Sequence, residues 1–266
     1  MEIVAIYIGV GALAGVTSGL FGVGGGVIVV PVLLLVFTLL GFPSQVLTHM
    51  ALATSLAAMV ITSASSAWAH FQRKAVLISV FAWMAAGVLV GAFAGVSLAV
   101  NLAGSFLQIA FGFFLALVGL QMLAGFRFSR DAALPKGPVL ALTGAVIGLV
   151  SMLFGIGGGS MTVPFLNWRG ISPKRAVATS AALGLPIALF GAILYGIKVP
   201  AASEMPKHST GYIYWPALLG LVVASIPATR LGARLAHSLR PSSLRMGFGI
   251  FVLLMSVNLL WKNLGA

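Results

Sequence analysis

The stretch LFGVGGGVIVVP, from Leu20 to Pro31, interrupts an apolar run with three consecutive glycines, and LFGIGGGSMTVP, from Leu153 to Pro164, repeats it. The two stretches share the phenylalanine, the glycines and the final Val-Pro pair. Glycine weakens a helix interior by about 1 kcal/mol relative to alanine. Three in a row therefore predict a break in each apolar run, and the duplication of the break indicates a functional element.

The composition of the 266 residues predicts a membrane protein. Hydrophobic residues make up 60% of the chain and charged residues only 7%, against roughly 25% charged residues in a soluble domain. Apolar runs of about 20 residues recur, and a bilayer requires each span to satisfy its own backbone hydrogen bonds. The alternating polarity of a transmembrane barrel is not seen. The predicted fold class is therefore an all-α polytopic membrane protein.

Successive apolar runs predict ten membrane-embedded helical segments. They lie at about 3–20, 27–40, 46–69, 75–98, 102–124, 138–154, 160–168, 176–197, 212–229 and 246–264. The second and seventh segments are too short to span a core of about 30 Å comfortably at 1.5 Å per residue. Both begin at a glycine triplet, so we expect each to form a broken hairpin with the segment before it.

Three matches in the same order indicate an internal duplication of about 120 residues. Besides the glycine stretches, ATS at Ala53–Ser55 recurs at Ala178–Ser180. The run at Leu107–Leu120 also resembles the run at Leu244–Val257. The predicted division is a first membrane repeat, a cytoplasmic linker and a second membrane repeat, at residues 1–124, 125–137 and 138–266.

The Lys and Arg residues predict how the repeats are oriented. If each glycine-broken pair crossed the membrane once, the positive residues would divide almost evenly between its two sides. If each pair folds back as a hairpin, most of them fall on one side, as cytoplasmic loops require. The repeats are then inverted, with both termini outside the cytoplasm. The residues placed inside are Arg73, Lys74, Arg127, Arg130, Lys136, Arg169, Lys174, Arg175, Arg230, Arg234, Arg240 and Arg245. Those placed outside are Lys198, Lys207 and Lys262.

Charge and cysteine content exclude several function classes. The net charge of +12 comes from residues in short loops, so it indicates topology rather than nucleic-acid binding. The absence of cysteine excludes disulfides and thiol chemistry. The three acids, Glu2, Asp131 and Glu204, lie in termini or loops, and no histidine pair has metal-ligand spacing with a carboxylate. We expect no catalytic residue, no cofactor and no metal.

The glycine tips predict an anion-binding site. In the inverted topology both tips approach the bilayer midplane from opposite sides, and each is the N-terminus of the following helix. Free N–H groups and the positive end of the helix dipole favour an anion there. The alternative, that these glycines serve only close helix packing, stays open. The predicted residues are Gly24, Gly25, Gly26, Gly157, Gly158, Gly159 and Ser160.

Hydroxyl side chains near the tips are further candidates for substrate binding. Those that match across the repeats are Thr54, Ser55, Thr179 and Ser180. The alternative is that they bond to carbonyl groups of their own or a neighbouring helix. In the first copy Val27 and Val29 stand where the second copy has Ser160 and Thr162, which predicts an asymmetric site.

Candidate residues of the transport pathway lie farther from the tips. They are His49, Thr162, Asn167, Trp168 and Arg245. His49 is expected near the outer end of its segment, whereas the other histidines are expected at the surface. Trp168 could gate the short helix or belong to an interfacial belt, and Arg245 could attract anions or anchor the topology.

The paired glycine stretches, each followed by ATS, resemble the sulfite exporter TauE/SafE family, also called the toluene-sulfonate uptake permease family. The resemblance covers nearly the whole chain. It implies a transporter of the bacterial inner membrane for a small sulfur-containing anion such as sulfite or an organosulfonate.

We therefore predict a secondary transporter, an exporter, that binds its anion at the facing tips and works by alternating access. An anion channel or facilitator is the alternative. An intramembrane enzyme would need a nucleophile with a base, or a metal. The expected partners are the anion and membrane lipid, with no nucleic acid, and a homo-oligomer is left open.

Overall fold

The computed structural model describes the backbone of residues 2–21, 25–124, 134–198, 205–238 and 241–265, and the side chains of residues 6–16, 25–124, 134–198, 205–228, 231 and 246–265. Within these ranges the chain forms helices and one small sheet. The helices are α1 (Glu2–Phe21), α2 (Gly26–Leu39), α3 (Ser44–Gln72), α4 (Ile78–Ala99), α5 (Gly104–Ala124), α6 (Gly137–Phe154), α7 (Gly159–Trp168), α8 (Pro173–Ile197), α9 (Trp215–Ser238) and α10 (Pro241–Leu264). The antiparallel strands are β1 (Ser209–Thr210) and β2 (Ile213–Tyr214).

The predicted all-α polytopic class is confirmed. Of the described helices, α3, α4, α5, α6, α8 and residues 246–264 of α10 are long and apolar enough to cross a membrane. Large apolar side chains point outward, with Leu142 67% and Val223 66% exposed, as lipid-facing positions require. The most apolar window of α3 is 78% buried, so α3 lies at the centre of the bundle.

The two short helices begin at the glycine triplets. α2 has 14 residues and starts at Gly26, and α7 has 10 residues and starts at Gly159. At 1.5 Å per residue they are about 21 Å and 15 Å long, shorter than a bilayer core of about 30 Å. Each contains a proline, Pro31 in α2 and Pro164 in α7.

The predicted boundaries are wrong around the ninth and tenth segments. The apolar windows leave residues 230–245 as a loop, but α9 continues to Ser238 and α10 begins at Pro241. Apolar windows detect only the part of a helix that lies in lipid. Leucine, alanine and arginine favour helix and extend it into the polar region. Arg245 therefore lies inside α10 rather than at its start.

The sequence does not predict the β1–β2 hairpin that precedes α9. Its turn contains Gly211 with a φ of +53°. The N–H group of Tyr212 donates to the carbonyl of Tyr195 at 3.2 Å, which fastens the hairpin to α8. Strands of two residues carry too little pattern to be seen in a sequence dominated by helical spans.

The first helix of each repeat packs against the fourth helix of the other. α1 lies along α9, where Gly11 contacts Leu221 and Gly15 contacts Ser225. Along α4 and α6 the contacts are Gly87 with Ala141, Gly91 with Ala145 and Gly95 with Leu149. Residue numbers rise together in both pairs, so the paired helices run parallel. Small residues permit this close approach.

Equivalent helices of the two repeats run antiparallel. Where α3 meets α8, the contacts are Leu56 with Gly191 and Ser63 with Gly184. Where α5 meets α10, they are Gly112 with Leu260 and Gly119 with Leu253. Parallel repeats would align these helices in the same direction, so the contacts agree with the inverted-repeat hypothesis. The assignment of the two membrane sides stays a prediction.

Candidate functional site

The two glycine breaks meet inside the bundle. A Cβ atom added at Gly26 would lie 2.6 Å from the carbonyl oxygen of Gly155 and 2.9 Å from the Cα atom of Ile156. A Cβ atom added at Gly155 would lie 2.9 Å from the Cα atom of Leu52 and from Cγ2 of Val30. Larger residues would collide at both positions. Glycine therefore lets the backbone of one break touch the backbone of the other.

Two left-handed glycines shape the second break. Gly155 follows α6 with a φ of +63°, and Gly158 precedes α7 with a φ of +70°, a region that residues with a Cβ rarely adopt. The Gly158 carbonyl accepts the N–H groups of Met161 and Thr162 at 3.1 and 2.8 Å. The N–H groups of Gly159 and Ser160 precede these bonds and have no intrahelical acceptor, and the positive end of the α7 dipole lies with them.

Three buried hydroxyl groups in the helices on either side of the second break have no described partner. They belong to Ser151 of α6 and to Ser160 and Thr162 of α7. The Ser151 Oγ lies 3.5 Å from the Cβ position of Gly158. An unpaired buried hydroxyl costs about 1–3 kcal/mol. These hydroxyls are therefore candidates for contact with a polar ligand.

The first break is apolar by comparison. Val27 and Val29 are buried where the second copy carries its hydroxyls. A cavity of about 30 Å³ adjoins Gly25, which is room for about one or two water molecules. The cavity is lined by Ala14, Gly15, Gly25, Val29, Ala58, Met59, Thr62, Leu221 and Ser225.

Ser151 is a site residue that the sequence analysis missed. It stands three residues before Phe154, as Ser18 stands three residues before Phe21 in the first copy. The matched serines are a signal of this position in the sequence, but they lie just before the duplicated glycine stretches.

The threonines of the two ATS motifs join the repeats. The Thr54 Oγ1 on α3 accepts the N–H group of Tyr214 at 3.1 Å, directly before α9. The Thr179 Oγ1 on α8 accepts the N–H group of Leu77 at 3.1 Å, directly before α4. Each threonine thus satisfies a donor where the fourth helix of the other repeat begins. Their predicted role in substrate binding stays a prediction.

The serines of the same motifs lie closer to the breaks. The Ser55 Oγ donates to the carbonyl of Gly155 at 3.0 Å and so ties the second break to α3. Ser180 is 4% exposed. The Ser55 contact joins an ATS motif of one repeat to the glycine break of the other, which the sequence alone does not reveal.

The pathway candidates are dispersed. Asn167 has a buried side-chain oxygen without a partner among the described residues. The guanidinium of Arg169 lies 4.7 Å from the centre of the Trp168 ring, a cation–π contact that fixes this ring at the end of α7. His49 lines a separate cavity. Gly24 and the side chain of Arg245 lie outside the described residues.

The fold and the site together define a multi-pass helical membrane protein with two touching helix breaks, the second of which carries unpartnered polar groups. Its sequence matches the model of the family "Sulfite exporter TauE/SafE" over residues 7–259. The chain belongs to this family, and the resemblance inferred from the glycine stretches is confirmed.

Similar proteins carry the same general description. A "Probable membrane transporter protein" of Haemophilus influenzae is 33% identical over 262 residues, which cover 95% of this chain and 96% of the relative. One of Methanocaldococcus jannaschii is 30% identical over 89% of this chain and 88% of its own length. The YunE protein of Bacillus subtilis is 27% identical over 97% and 98%. The protein is therefore a membrane transporter and not an enzyme.

Proposed function

We propose that the protein transports a small sulfur-containing anion, such as sulfite or an organosulfonate, and binds it between the two glycine breaks. The observation that carries this proposal is that the hydroxyls of Ser151, Ser160 and Thr162, beside the second break, are buried without a described partner. Hydroxyl and N–H donors beside a positive helix end suit the oxygens of an oxyanion. The description of the family supports the substrate class.

The electrostatics of the breaks also favour an anion. The described side chains include no carboxylate, because the three acids of the chain lie at residues 2, 131 and 204. No described carboxylate therefore repels negative charge at the breaks. Binding through backbone dipoles and hydroxyls, with no cation among the described side chains at the breaks, leaves the anion weakly enough held to be released.

The described conformation is closed around the breaks. The cavity beside Gly25 holds about 30 Å³, and Gly26 touches Gly155, so an oxyanion enters only after the breaks separate. Rocking of one repeat against the other would separate them, because the contacting residues belong to different repeats. Alternating access of this kind is typical of inverted-repeat transporters.

The proposed setting is the bacterial inner membrane, with both termini outside the cytoplasm and export as the direction of transport. The antiparallel packing of equivalent helices supports the inverted arrangement. An anion leaves the cytoplasm down the membrane potential with about 2.3 kcal/mol per charge per 100 mV. Export therefore needs no coupling ion.

The test replaces the polar residues of the second break by those of the first. The variant Ser160→Val/Thr162→Val should weaken binding of sulfite, thiosulfate or methanesulfonate to purified protein at least about tenfold, the value of one charge-assisted hydrogen bond or more. Its thermal stability should be unchanged or raised, because it loses only unpartnered hydroxyls. Thr143→Val is the control, since its hydroxyl donates to Val139 of the same helix. Unchanged binding of every anion would contradict the proposal.

Flux measurements separate a transporter from a channel or facilitator. In liposomes a transporter gives saturable uptake of labelled sulfite that is accelerated by unlabelled sulfite on the other side. A channel gives flux without this counter-transport. Flux that does not saturate and shows no exchange would favour the channel.

A further inference from the structure

A polar cavity begins about one turn of α3 from Leu52, the residue that contacts Gly155 of the second break. It holds about 900 Å³ between the α2–α3 loop, the α4–α5 loop and the end of α10. We call it the His49 vestibule. Its lining is Thr38, Phe42, Ser44, Gln45, Val46, Leu47, His49, Val100, Asn101, Leu102, Ala103, Gly104, Ser105, Gln108, Tyr212, Lys262 and Asn263. Lys262, one of the basic residues predicted outside the cytoplasm, belongs to this lining.

The ring of His49, which lines this vestibule, has one nitrogen without a described hydrogen-bond partner. Its side chain is 4% exposed. The Nε2 atom lies 2.9 Å from the carbonyl oxygen of Ala99, which can only accept, so Nε2 carries a hydrogen. The Nδ1 atom is buried and has no partner among the described residues. In the neutral ring Nδ1 is a lone pair, and in the charged ring it is a second donor.

Hydrogen bonds between four helices, α2, α3, α5 and α10, hold the wall of the vestibule in place. The Thr48 Oγ1, next to His49, accepts from the Gln108 side chain at 2.7 Å. The Gln108 Oε1 accepts from the Asn263 side chain at 3.0 Å. The adjacent Lys262 donates to Thr38 at 3.3 Å. The ammonium of Lys262 keeps two further hydrogens for a ligand.

The charge of the lining is positive. Its titratable groups are His49, Tyr212 and Lys262, and it includes no carboxylate. The Tyr212 ring lies 5.3 Å from the ring of His49. Burial raises the pKa of Tyr212, which therefore stays neutral near physiological pH. Lysine is charged at this pH, so the ammonium of Lys262 gives the lining its positive charge.

We infer that the His49 vestibule is a second anion-binding site, where an oxyanion binds together with one proton, between the Nδ1 atom of His49 and the ammonium of Lys262. The proton lies between Nδ1 and an oxygen of the anion and is bonded to one of these two atoms. The resulting hydrogen bond gives Nδ1 a partner, and the ammonium of Lys262 balances the remaining negative charge of the anion. The inference rests on the contacts of the vestibule and not on the glycine breaks.

Sulfate is the probe for this site, because it remains a dianion from about pH 5.5 to 8.5, so its own charge does not change in this range. Calorimetric titration of the purified full chain should show sulfate affinity falling as the pH rises, by up to about tenfold per pH unit, as the binding of one linked proton requires. His49→Gln should bind sulfate weakly with no pH dependence. His70→Gln, the same change at the other end of α3, should behave like the wild type.

A second variant tests the cation without disturbing the core. Lys262 is exposed, so Lys262→Met should fold normally and weaken sulfate binding about three- to tenfold at every pH, with the pH dependence kept. Lys198→Met is its control, because Lys198 is also exposed but does not line the vestibule. Wild-type affinity in Lys262→Met, or a wild-type pH dependence in His49→Gln, would overturn the inference.

Hydrogen exchange at histidine C2, followed by mass spectrometry, tests the wild-type chain directly. Saturating sulfate should change the exchange rate at His49, because the bound proton and anion engage its Nδ1 atom, and should leave the rate at His70 unchanged. An unchanged exchange rate at His49, or no sulfate binding at any pH, would overturn the inference. The Ser160→Val/Thr162→Val variant should keep the pH-dependent sulfate binding, so failure at the breaks is distinguishable from failure at the vestibule.

Discussion

The two glycine breaks share one sequence frame but differ in what surrounds them. At the first break α2 begins at Gly26 and continues with the buried side chains of Val27 and Val29. At the second, α7 begins after Gly158 and continues with Ser160 and Thr162, whose buried oxygens have no partner among the described residues. The shared glycines begin a helix at each break, and the side chains that follow make only the second break polar.

This difference shows that the duplicated glycines and the hydroxyl side chains have separate roles. The glycines serve close contact between the backbones of the two repeats, which both copies need equally. The hydroxyl of Thr162 is not needed for packing, because valine, of similar size, fills the equivalent position in the first break. Burial of these hydroxyls without described partners supports the proposed role in binding a polar ligand.

The largest effect is expected from Gly158→Leu, which should reduce transport below detection. The backbone there has a φ of +70°, and a Cβ would lie 2.6 Å from Cδ1 of Ile187. Gly247→Leu is the control, because nothing lies within 4 Å of its Cβ position. Anion flux in liposomes measures the effect, and size-exclusion chromatography checks the fold. Wild-type flux in Gly158→Leu would show that the break is not part of the pathway.

An all-or-none result is expected from cysteine labelling at equivalent loops of the two repeats. The chain has no cysteine, and Ser44 and Ser172 lie exposed at the starts of α3 and α8. In the inverted topology a membrane-impermeant maleimide should label Ser44→Cys from outside the cell, and Ser172→Cys only after the membrane is opened. Labelling of both from the same side would contradict inverted repeats.

A moderate effect is expected when one hydroxyl is exchanged between the breaks. Val29→Thr should lower the Tm by about 2–4 °C, because it buries a hydroxyl at a cost of about 1 kcal/mol. The reciprocal Thr162→Val should leave the Tm unchanged or raise it. Thermal unfolding in one detergent compares the two, and equal losses from both would show that Thr162 has a structural partner.

The smallest effects are expected at the ATS threonines, which match between the two repeats. Thr54→Val and Thr179→Val should each cost about 1 kcal/mol, because each leaves an N–H group at a helix start without its acceptor. The two losses should be similar and should add in the double variant, since the bonds share no residue. Thr143→Val serves as the reference. A loss of transport without a loss of stability would instead assign these threonines to the substrate.

Much of the fold could be predicted from local pattern. The apolar runs locate the helices, and the repeated glycines locate the starts of α2 and α7, because hydrophobicity and helix breaking are properties of short segments. The end of α9 and the β1–β2 hairpin could not be located in this way. Arg230 and Arg234 continue a helix that the apolar window ends, and Ser209 pairs with Tyr214 across a turn.

The sequence by itself determined the membrane class, the duplication and the asymmetry between Val27 or Val29 and their polar counterparts, since all of these are read from residue types and their order. Only the tertiary structure decided that Gly26 touches Gly155, that Ser151 joins the second break, and that Thr54 serves the helix that follows Tyr214. These are contacts between segments far apart in the chain. The packing of one repeat against the other creates them, and no local pattern records which partners it brings together.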